Sequence, residues 1–439
     1  CSHEKLNQLQ KNIVWGQRGN FVEVPTDCPQ RDERLGWTGD AQGFIRTAAF
    51  NAGIAPFFTR WLIDLADAQL PDGMIPHVIP DILTWPGRVA GGSPAWEDAA
   101  VICPWITYRV YGDVRILERQ YTSMDRYVSS LAKRSKEGHH PGGGFGDWLS
   151  INSYTPMDLI GTAYSAYSCS LMVGIANLLG RKEDAARFEG YAKQMKQAFV
   201  HHFVTPAGRV VGDSQTAYLL ALAFDLVDDE IRQKMIDYLA ADIETRGVLT
   251  TGFVGVNLLL PTLSDIGRDD LAMKLLTNER YPSWLYSVNH GATTIWERWD
   301  GWTETSGFQT PNMNSFNHYA YGSCGQWMYA RLAGLDLDPD VPGYKRFRIN
   351  PLPSPKHGVT SAAITFDSLH GRISLAWQLI DQTLKLTATI PANTSAILHQ
   401  PDGSPKELPA GSHELSLAWK AEGEGGGFED HIIHCWQLP

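Results

Sequence analysis

The most densely charged segment of the sequence runs from Pro25 to Asp40 and contains four carboxylates and two guanidinium groups from position 27 onward. Proline and two glycines in this segment disfavour a regular helix and allow close backbone approach. Trp37 is costly to expose in a free loop, and the next helix is predicted to begin at about Asp40. A solvated surface loop is the plainer interpretation, but these features favour an anchored, functional loop.

A second candidate segment extends from Gly291 to Trp302 and places three tryptophans around Glu297 and Asp300. At least one of these rings is expected to belong to the core. A glutamate between two tryptophans has reduced hydration, which is a common setting for a catalytic carboxylate. The two segments therefore supply carboxylates of different environment, although they are far apart in the chain.

Glycoside hydrolysis requires this combination of acids. One carboxyl group must be protonated at the working pH in order to donate a proton to the leaving oxygen. Neighbouring carboxylates raise the pKa of such a group, while Arg31 or Arg34 would hold the other acids ionised. The remaining aspartates could accept hydrogen bonds from sugar hydroxyls.

Most of the chain, to about Leu337, shows apolar residues at helical spacing. Between 183 and 204, for example, Phe188, Phe199 and Phe203 belong to one apolar stripe. About a dozen helices are predicted, near 3–14, 41–50, 55–70, 95–111, 113–134, 158–179, 183–204, 214–226, 228–245, 251–261, 265–277 and 315–333.

This number of paired helices indicates either a solenoid or a closed toroid. The sequence shows no fixed-period repeat of the kind that solenoids have. The loops at 71–94, 136–157 and 298–314 are long, and long ordered loops are usually functional. We therefore favour a closed helical barrel whose long loops gather at one mouth and bring the two charged segments together.

The pattern changes to a period of two after about residue 340. Runs such as Ile373–Leu379, Leu384–Ile390 and Leu415–Trp419 alternate apolar with polar or small residues and are separated by turn signals. The sequence thus predicts a catalytic helical domain at 1–340, a small antiparallel β-sandwich domain at 341–420 and a flexible tail at 421–439.

Composition restricts the functional classes. The net charge is −11, and the sequence contains no basic run, which argues against nucleic-acid binding. We identified no apolar stretch approaching the roughly 20 residues that span a bilayer, so no membrane partner is expected. Aromatic residues make up 11% of the chain; most must be core, but a surplus could stack on sugar rings.

The six cysteines are scattered and contain no CxxC pair, which favours free thiols over a disulfide framework. The histidine pairs lack metal-ligand spacing, so we expect neither a metal nor another cofactor. The chain starts with Cys1 and shows no signal-peptide pattern, which leaves both a cytoplasmic and a secreted location open.

Four motifs resemble those of the α-L-rhamnosidases of glycoside hydrolase family 78. DCPQRDERLGWTGDAQ (27–42) and TIWERWDG (294–301) are the strongest, with GDWLS (146–150) and SFNHYAYGS (315–323) in support. The resemblance extends over about residues 3–420. It implies an (α/α)6 barrel, an α-L-rhamnoside substrate and hydrolysis with inversion of the anomeric configuration.

The resemblance also implies individual roles. Glu33 corresponds to the general acid and Glu297 to the general base. The implied rhamnose-binding residues are Asp27, Arg31, Trp37, Asp40, Trp96, Trp148 and His318. If the enzyme inverts, its two catalytic carboxyl groups should stand about 6.5–9.5 Å apart, whereas about 5 Å would indicate retention.

Other functions remain open from the residues alone. One is a different hydrolase on the same toroid, such as a glucoamylase- or trehalase-like enzyme. Another is a sugar-binding protein without catalytic activity, which the presence of both carboxylates disfavours. A purely structural scaffold fits the density of motifs least.

Overall fold

The computed structural model of the protein describes residues 1–419. The predicted tail at 421–439 lies outside the described residues. Up to residue 333 the chain is almost entirely helical apart from long loops, and β-strands dominate from residue 335. The predicted class, a helical toroid followed by a β-domain, is confirmed.

The helices alternate between an outer and an inner ring. The outer helices are α1 (Glu4–Asn20), α3 (Ala55–Ala68), α5 (Arg115–Arg134), α7 (Lys182–Phe203), α9 (Asp229–Arg246) and α11 (Asp269–Leu276), with the short α12 (Trp284–Asn289) after them. The inner helices are α2 (Thr38–Asn51), α4 (Ala99–Tyr111), α6 (Met157–Leu178), α8 (Gln215–Ala223) and α10 (Phe253–Asp265). The sixth inner element is a continuous helical segment of mixed 3-10, α and π turns at 320–333, which we call the closing segment.

Burial explains this division. Nearly every residue of α4, α8 and α10 is buried, so these helices are apolar all round and must lie inside. Helix α5, by contrast, buries one apolar stripe and exposes charged residues on its other side. Contacts pass from α2 through the successive inner helices to the closing segment, which packs back against α2 and closes the ring.

Helix α6 corrects one expectation drawn from the sequence. Met157–Leu178 is 22 residues long and apolar enough, by length and composition, to cross a membrane. However, 83% of its most apolar window is buried inside the protein, where it forms part of the inner ring. The statement that no stretch approaches spanning length was therefore wrong, because a core helix surrounded by other helices has the same composition.

The β-strands form a two-stranded hairpin and a larger sheet. The hairpin pairs β1 (Trp302–Thr303) with β2 (Gly307–Phe308) in the long loop before the closing segment. The larger sheet contains β3 (Leu335–Leu337), β4 (Arg346–Ile349), β5 (Ser361–Ser368), β6 (Gly371–Ile380), β7 (Thr383–His399) and β8 (Pro405–Ala418). Its order is β3-β4-β7-β6-β5, with β8 also paired to β7.

This sheet differs in detail from the antiparallel sandwich that was predicted. β4 and β7 run parallel, whereas the other pairs are antiparallel. The register of β7 with β8 shifts between Ile390 and Ser395, so that the first half of β7 pairs with β6 and its second half with β4. One long strand, β7, thus pairs with three others: β4, β6 and β8.

The sheet packs on the helical domain through polar and aromatic contacts. Arg46 of α2 donates to Asp336 Oδ1 at 2.6 Å and to the Tyr344 hydroxyl at 3.2 Å. Trp377 of β6 donates its indole N–H to the carbonyl of Ala333 at 3.2 Å. These contacts fix the end of the closing segment against the β-domain.

Asp147 fixes the start of α10. The first N–H groups of a helix lack partners within the helix. Here the Asp147 carboxylate accepts from the backbone N–H groups of Gly252, Val254 and Gly255 at 2.9, 2.9 and 3.2 Å, and from the Thr216 hydroxyl at 2.5 Å. The neighbouring Trp148 carbonyl accepts from Phe253 N at 2.9 Å. The same short segment therefore positions Trp148 and the first turn of α10.

Replacing Asp147 with alanine should destabilise the protein strongly. Because several buried donors lose their acceptor, we expect a loss of about 3 kcal/mol in the free energy of unfolding. Asp228→Ala is the matched control, since Asp228 caps α9 in an exposed position through one bond to Ile231 N at 3.0 Å; it should cost about 1 kcal/mol. Denaturant unfolding followed by tryptophan fluorescence measures both, and equal losses would contradict this account of α10.

Candidate active site

The loop between α1 and α2 is held in a closed shape by two hydrogen bonds between Asp27 and Leu35. Asp27 N donates to the Leu35 carbonyl at 3.0 Å, and Leu35 N donates back to Asp27 Oδ1 at 2.9 Å. A Cβ at Gly36 would lie 2.3 Å from the Ile79 carbonyl oxygen, so only glycine allows this approach to the 71–94 loop. The loop is thus anchored, as the sequence indicated.

Arg31 lies at the centre of the charged residues. Its Nη1 donates to Glu297 Oε2 at 2.7 Å, and its Nη2 donates to Glu297 Oε1 at 3.2 Å. The same Nη2 donates to Glu33 Oε2 at 2.8 Å and lies 3.5 Å from Asp27 Oδ2. One guanidinium therefore links carboxylates from the first and second candidate segments. Such bidentate contacts fix orientation as well as charge.

This shared contact limits the spacing of the two proposed catalytic groups. Glu33 Oε2 and Glu297 Oε1 cannot be farther apart than the sum of their distances to Arg31 Nη2, which are 2.8 and 3.2 Å. That sum is below the expected range of about 6.5–9.5 Å for an inverting pair. The expected range refers to whole carboxyl groups and not to their nearest oxygens, so the predicted separation of Glu33 and Glu297 stays a prediction.

The surroundings of Glu33 favour its protonated form. Burial raises the pKa of Glu33 above its usual value, and the nearby charge of Asp27 adds to the effect. Arg31 and the indole N–H of Trp37, which donates to Glu33 Oε1 at 2.8 Å, act in the opposite direction without cancelling it. The side chain of Glu33 is 33% exposed, whereas that of Glu297 is 2% exposed. The two acids therefore occupy different environments.

Asp40 and His318 form a buried ion pair behind these acids. His318 Nε2 lies 3.1 Å from Asp40 Oδ1. Burial by itself lowers the pKa of His318, but the contact with Asp40 and the charges of Glu297 and Asp27 raise it above its usual value. His318 N also donates to the Ile295 carbonyl at 2.9 Å, which joins the residues just before the closing segment to the second candidate segment.

Aromatic rings form the opposite side of the site. Phe145 contacts Trp37, Trp96 and Trp148, with ring centroids 5.3, 5.0 and 5.9 Å away. A Cβ at Gly39 would lie 2.5 Å from the Trp96 ring, so glycine at this position lets that ring pack on the start of α2. Trp96, Phe145 and Trp148 therefore come from other loops than the carboxylates, whereas Trp37 comes from the same loop as Glu33.

These side chains line one pocket of about 390 Å³. Its lining contains every site residue that the sequence predicted: Asp27, Arg31, Glu33, Trp37, Asp40, Trp96, Trp148, Glu297 and His318. Phe145, Phe253 and Met313 also line it and were missed. Phe145 follows three consecutive glycines and precedes Trp148 by three residues, which could have drawn attention to it. Phe253 and Met313 carry no comparable signal in the sequence.

Asp27, Cys28 and Glu33 are close enough in space to bind a metal ion in principle. Arg31 already supplies a cation to this group, through its contacts with Asp27 and Glu33. The Cys28 thiol donates to Asp27 Oδ2 at 2.8 Å, and burial together with Asp27 raises its pKa far above the usual value. A protonated thiol is a poor metal ligand. Asp27, Cys28 and Glu33 therefore form a hydrogen-bonded acidic cluster with Arg31, and this chemistry does not favour a metal ion.

Two family models match the chain. Residues 1–332 match the bacterial alpha-L-rhamnosidase six-hairpin glycosidase domain, and residues 334–414 match the bacterial alpha-L-rhamnosidase C-terminal domain. The chain belongs to the bacterial alpha-L-rhamnosidase family. This confirms the family that the sequence motifs indicated.

Several relatives are similar over almost the whole chain. The alpha-L-rhamnosidase of Streptomyces avermitilis is 45% identical over 404 residues, which are 92% of this chain and 38% of that protein. Its crystal structure in complex with L-rhamnose superposes with a TM-score of 0.90 and covers 94% of this chain and 41% of that one. An alpha-L-rhamnosidase of Formosa agariphila is 44% identical over 93% of this chain and 44% of its own length. The chain thus spans less than half the length of these relatives.

Replacing Arg31 with methionine tests its role as the shared cation. Because the partly buried acids lose their counter-charge, we expect the free energy of unfolding to fall by about 3 kcal/mol near neutral pH. The pKa of Glu33 should rise further, and a carboxyl with a raised pKa destabilises the fold only when ionised. The deficit in melting temperature should therefore be larger at about pH 8 than at about pH 5.

Arg34→Met is the control for this measurement, because Arg34 belongs to the same loop but is exposed and lies 3.8 Å from Asp32. It should change stability by less than about 0.5 kcal/mol at either pH. A deficit for Arg31→Met that stays constant with pH would show that its role is packing and not charge compensation.

Proposed function

We propose that this chain hydrolyses terminal, non-reducing α-L-rhamnose from α-L-rhamnosides with inversion of the anomeric configuration. The supporting observation is that Glu33 and Glu297 converge, through Arg31, in one aromatic-lined pocket. Membership of the family and the L-rhamnose complex of the Streptomyces avermitilis relative support the choice of sugar.

Glu33 is proposed as the general acid. Its raised pKa keeps a larger fraction protonated, and its partial exposure lets it reach the oxygen of a departing group at the pocket opening. A proton delivered to that oxygen lowers the barrier to cleavage of the glycosidic bond. Trp37 fixes the orientation of the carboxyl group through its 2.8 Å contact with Oε1.

Glu297 is proposed as the general base. Both of its oxygens accept hydrogen bonds from Arg31, as expected of an ionised carboxylate, and its backbone N–H is fixed to the Ser315 carbonyl at 2.8 Å. An ionised carboxylate can take a proton from water as that water attacks the anomeric carbon.

The remaining pocket residues are proposed to recognise the sugar. Asp27, Asp40 and His318 can hydrogen-bond to hydroxyl groups, and charge-assisted bonds of this kind are strong in a buried site. Trp96 and Trp148 present ring surfaces on which the C–H face of a pyranose can stack. Rhamnose carries a methyl group where glucose carries a hydroxymethyl group, and an apolar wall favours the methyl.

Activity on two aryl glycosides would test the proposed substrate. p-Nitrophenyl α-L-rhamnoside should release nitrophenol, whereas the corresponding glucoside should not. Release from the glucoside alone would favour a different hydrolase on the same toroid, and release from neither, with rhamnose still bound, would favour a sugar-binding protein.

Glu33→Gln and Glu297→Gln should each lower kcat for the rhamnoside by about 10²–10⁴-fold, since each removes one proton-transfer group. L-rhamnose binding, measured by calorimetry, should persist in both variants. Asp32→Asn is the control, because Asp32 neighbours Glu33 in sequence but is fully exposed; its kcat should stay within about twofold of the parent. Comparable losses in all three variants would refute the assignment.

The stereochemical outcome can be observed directly by proton NMR during hydrolysis. An inverting enzyme acting on an α-L-rhamnoside releases β-L-rhamnose first, and the α anomer appears later by mutarotation. Initial release of the α anomer would instead indicate retention and would contradict the proposed stereochemistry.

A further inference from the structure

A second pocket, of about 710 Å³, lies beside the proposed active site. We call it the aromatic pocket; its rings belong to Trp296, Trp302, Phe308 and Phe316, and His290 lies at its edge. It shares no lining residue with the pocket that contains Glu33 and Glu297. Neither the sequence motifs nor the proposed reaction assigns it a role.

The rings of this pocket are packed against one another yet remain accessible. Phe316 meets Trp296 edge to face with ring centroids 5.0 Å apart, and it meets Phe308 in the same way at 5.8 Å. Phe308 is nevertheless 73% exposed, and Trp296 and Trp302 are half-buried. Exposed aromatic surface concentrated in a concave site is uncommon unless it binds something.

Polar groups accompany the rings. His290 Nε2 lies 3.2 Å from Glu304 Oε1, and His290 Nδ1 lies 2.8 Å from the Tyr286 carbonyl. The exposed Thr293 also lines the pocket. This mixture fits a sugar ring, which presents a C–H face to aromatic rings and hydroxyl groups to polar side chains. The carboxylate of Glu304 favours a neutral sugar over an acidic one.

The aromatic pocket and the proposed active site lie on two sides of one segment, which we call the wall (residues 294–318). Trp296 faces the aromatic pocket, whereas its neighbour Glu297 faces the other. Phe316 and His318 are divided in the same way. The hydroxyl of Thr294 donates to the Phe316 carbonyl at 2.5 Å and so holds the two ends of the wall together.

We infer that the aromatic pocket is an accessory carbohydrate-binding site, which takes a neutral pyranose ring of an oligosaccharide or glycoside independently of the catalytic pocket. Stacking on Trp296 and Trp302 supplies the affinity, and His290 and Thr293 contact the hydroxyl groups. The inference goes beyond the proposed function, since it concerns a site that takes no part in bond cleavage.

The test uses NMR of the Glu33→Gln variant labelled with ¹⁵N-tryptophan, so that no sugar is consumed. Methyl α-L-rhamnopyranoside and maltotriose are titrated in turn, and indole signals are assigned by single Trp→Phe substitutions. We expect saturable shifts of the Trp296 and Trp302 signals with at least one of the sugars. Replacing Phe308 with alanine should weaken this binding by about tenfold and leave the Trp37 and Trp148 signals responsive to the rhamnoside.

Trp85→Ala provides the matched control, because Trp85 is 50% exposed but lines neither pocket; it should leave both responses unchanged.

If Trp296 and Trp302 show no saturable shift while Trp37 responds, the accessory site is refuted and the proposed function stands. If Phe308→Ala weakens the Trp37 response equally, the shifts are transmitted through the wall and the inference is wrong. The inference is also wrong if Phe308→Ala changes the sedimentation coefficient but not sugar binding, because the aromatic pocket would then be a contact between two copies of the chain.

Discussion

The contact of one guanidinium with carboxylates from two distant loops underlies the arrangement of the site. When they are ionised, Asp27, Glu33 and Glu297 repel one another, and bringing them together in a partly buried pocket is unfavourable without a cation. Arg31 supplies that cation from within the same loop as two of the acids. The cluster therefore requires the loop before α2 and the loop before the closing segment to meet, which happens only when the toroid is complete.

The same contact makes the site asymmetric. Glu297 is held on both oxygens by Arg31 and is buried, whereas Glu33 shares its two oxygens between Arg31 and Trp37 and remains partly exposed. Two chemically identical side chains thereby differ in accessibility and orientation. These differences in accessibility and orientation arise from the surrounding charges and hydrogen bonds, since both residues are glutamates.

Much of this organisation could be predicted from the sequence, for identifiable reasons. Helices such as α5 and α7 were predictable because their apolar stripes recur at helical spacing, and the charged loop was recognisable from its density of acids. The contact of Arg31 with both Glu33 and Glu297 was not predictable, because it depends on how the fold brings the two segments together. The three tryptophans near Glu297 also diverge: Trp299 stacks on Tyr321 in the core, while Trp296 and Trp302 face the aromatic pocket. Long-range packing decides which of these rings lies in the core, and the local sequence pattern carries no information about that packing.

The closing segment, which is the last inner element, affects how the protein folds. Thr47 of α2 donates to the Ser323 carbonyl at 2.9 Å and accepts from Gln326 N at 2.9 Å, which joins residues nearly 280 positions apart. Contacts of such high sequence separation form slowly, because a long loop must close before any of them is gained. Until then the apolar surfaces of α6 and α10 have no complete enclosure. During synthesis, the ring cannot close until the closing segment has emerged from the ribosome. In that interval the chain is most prone to aggregation.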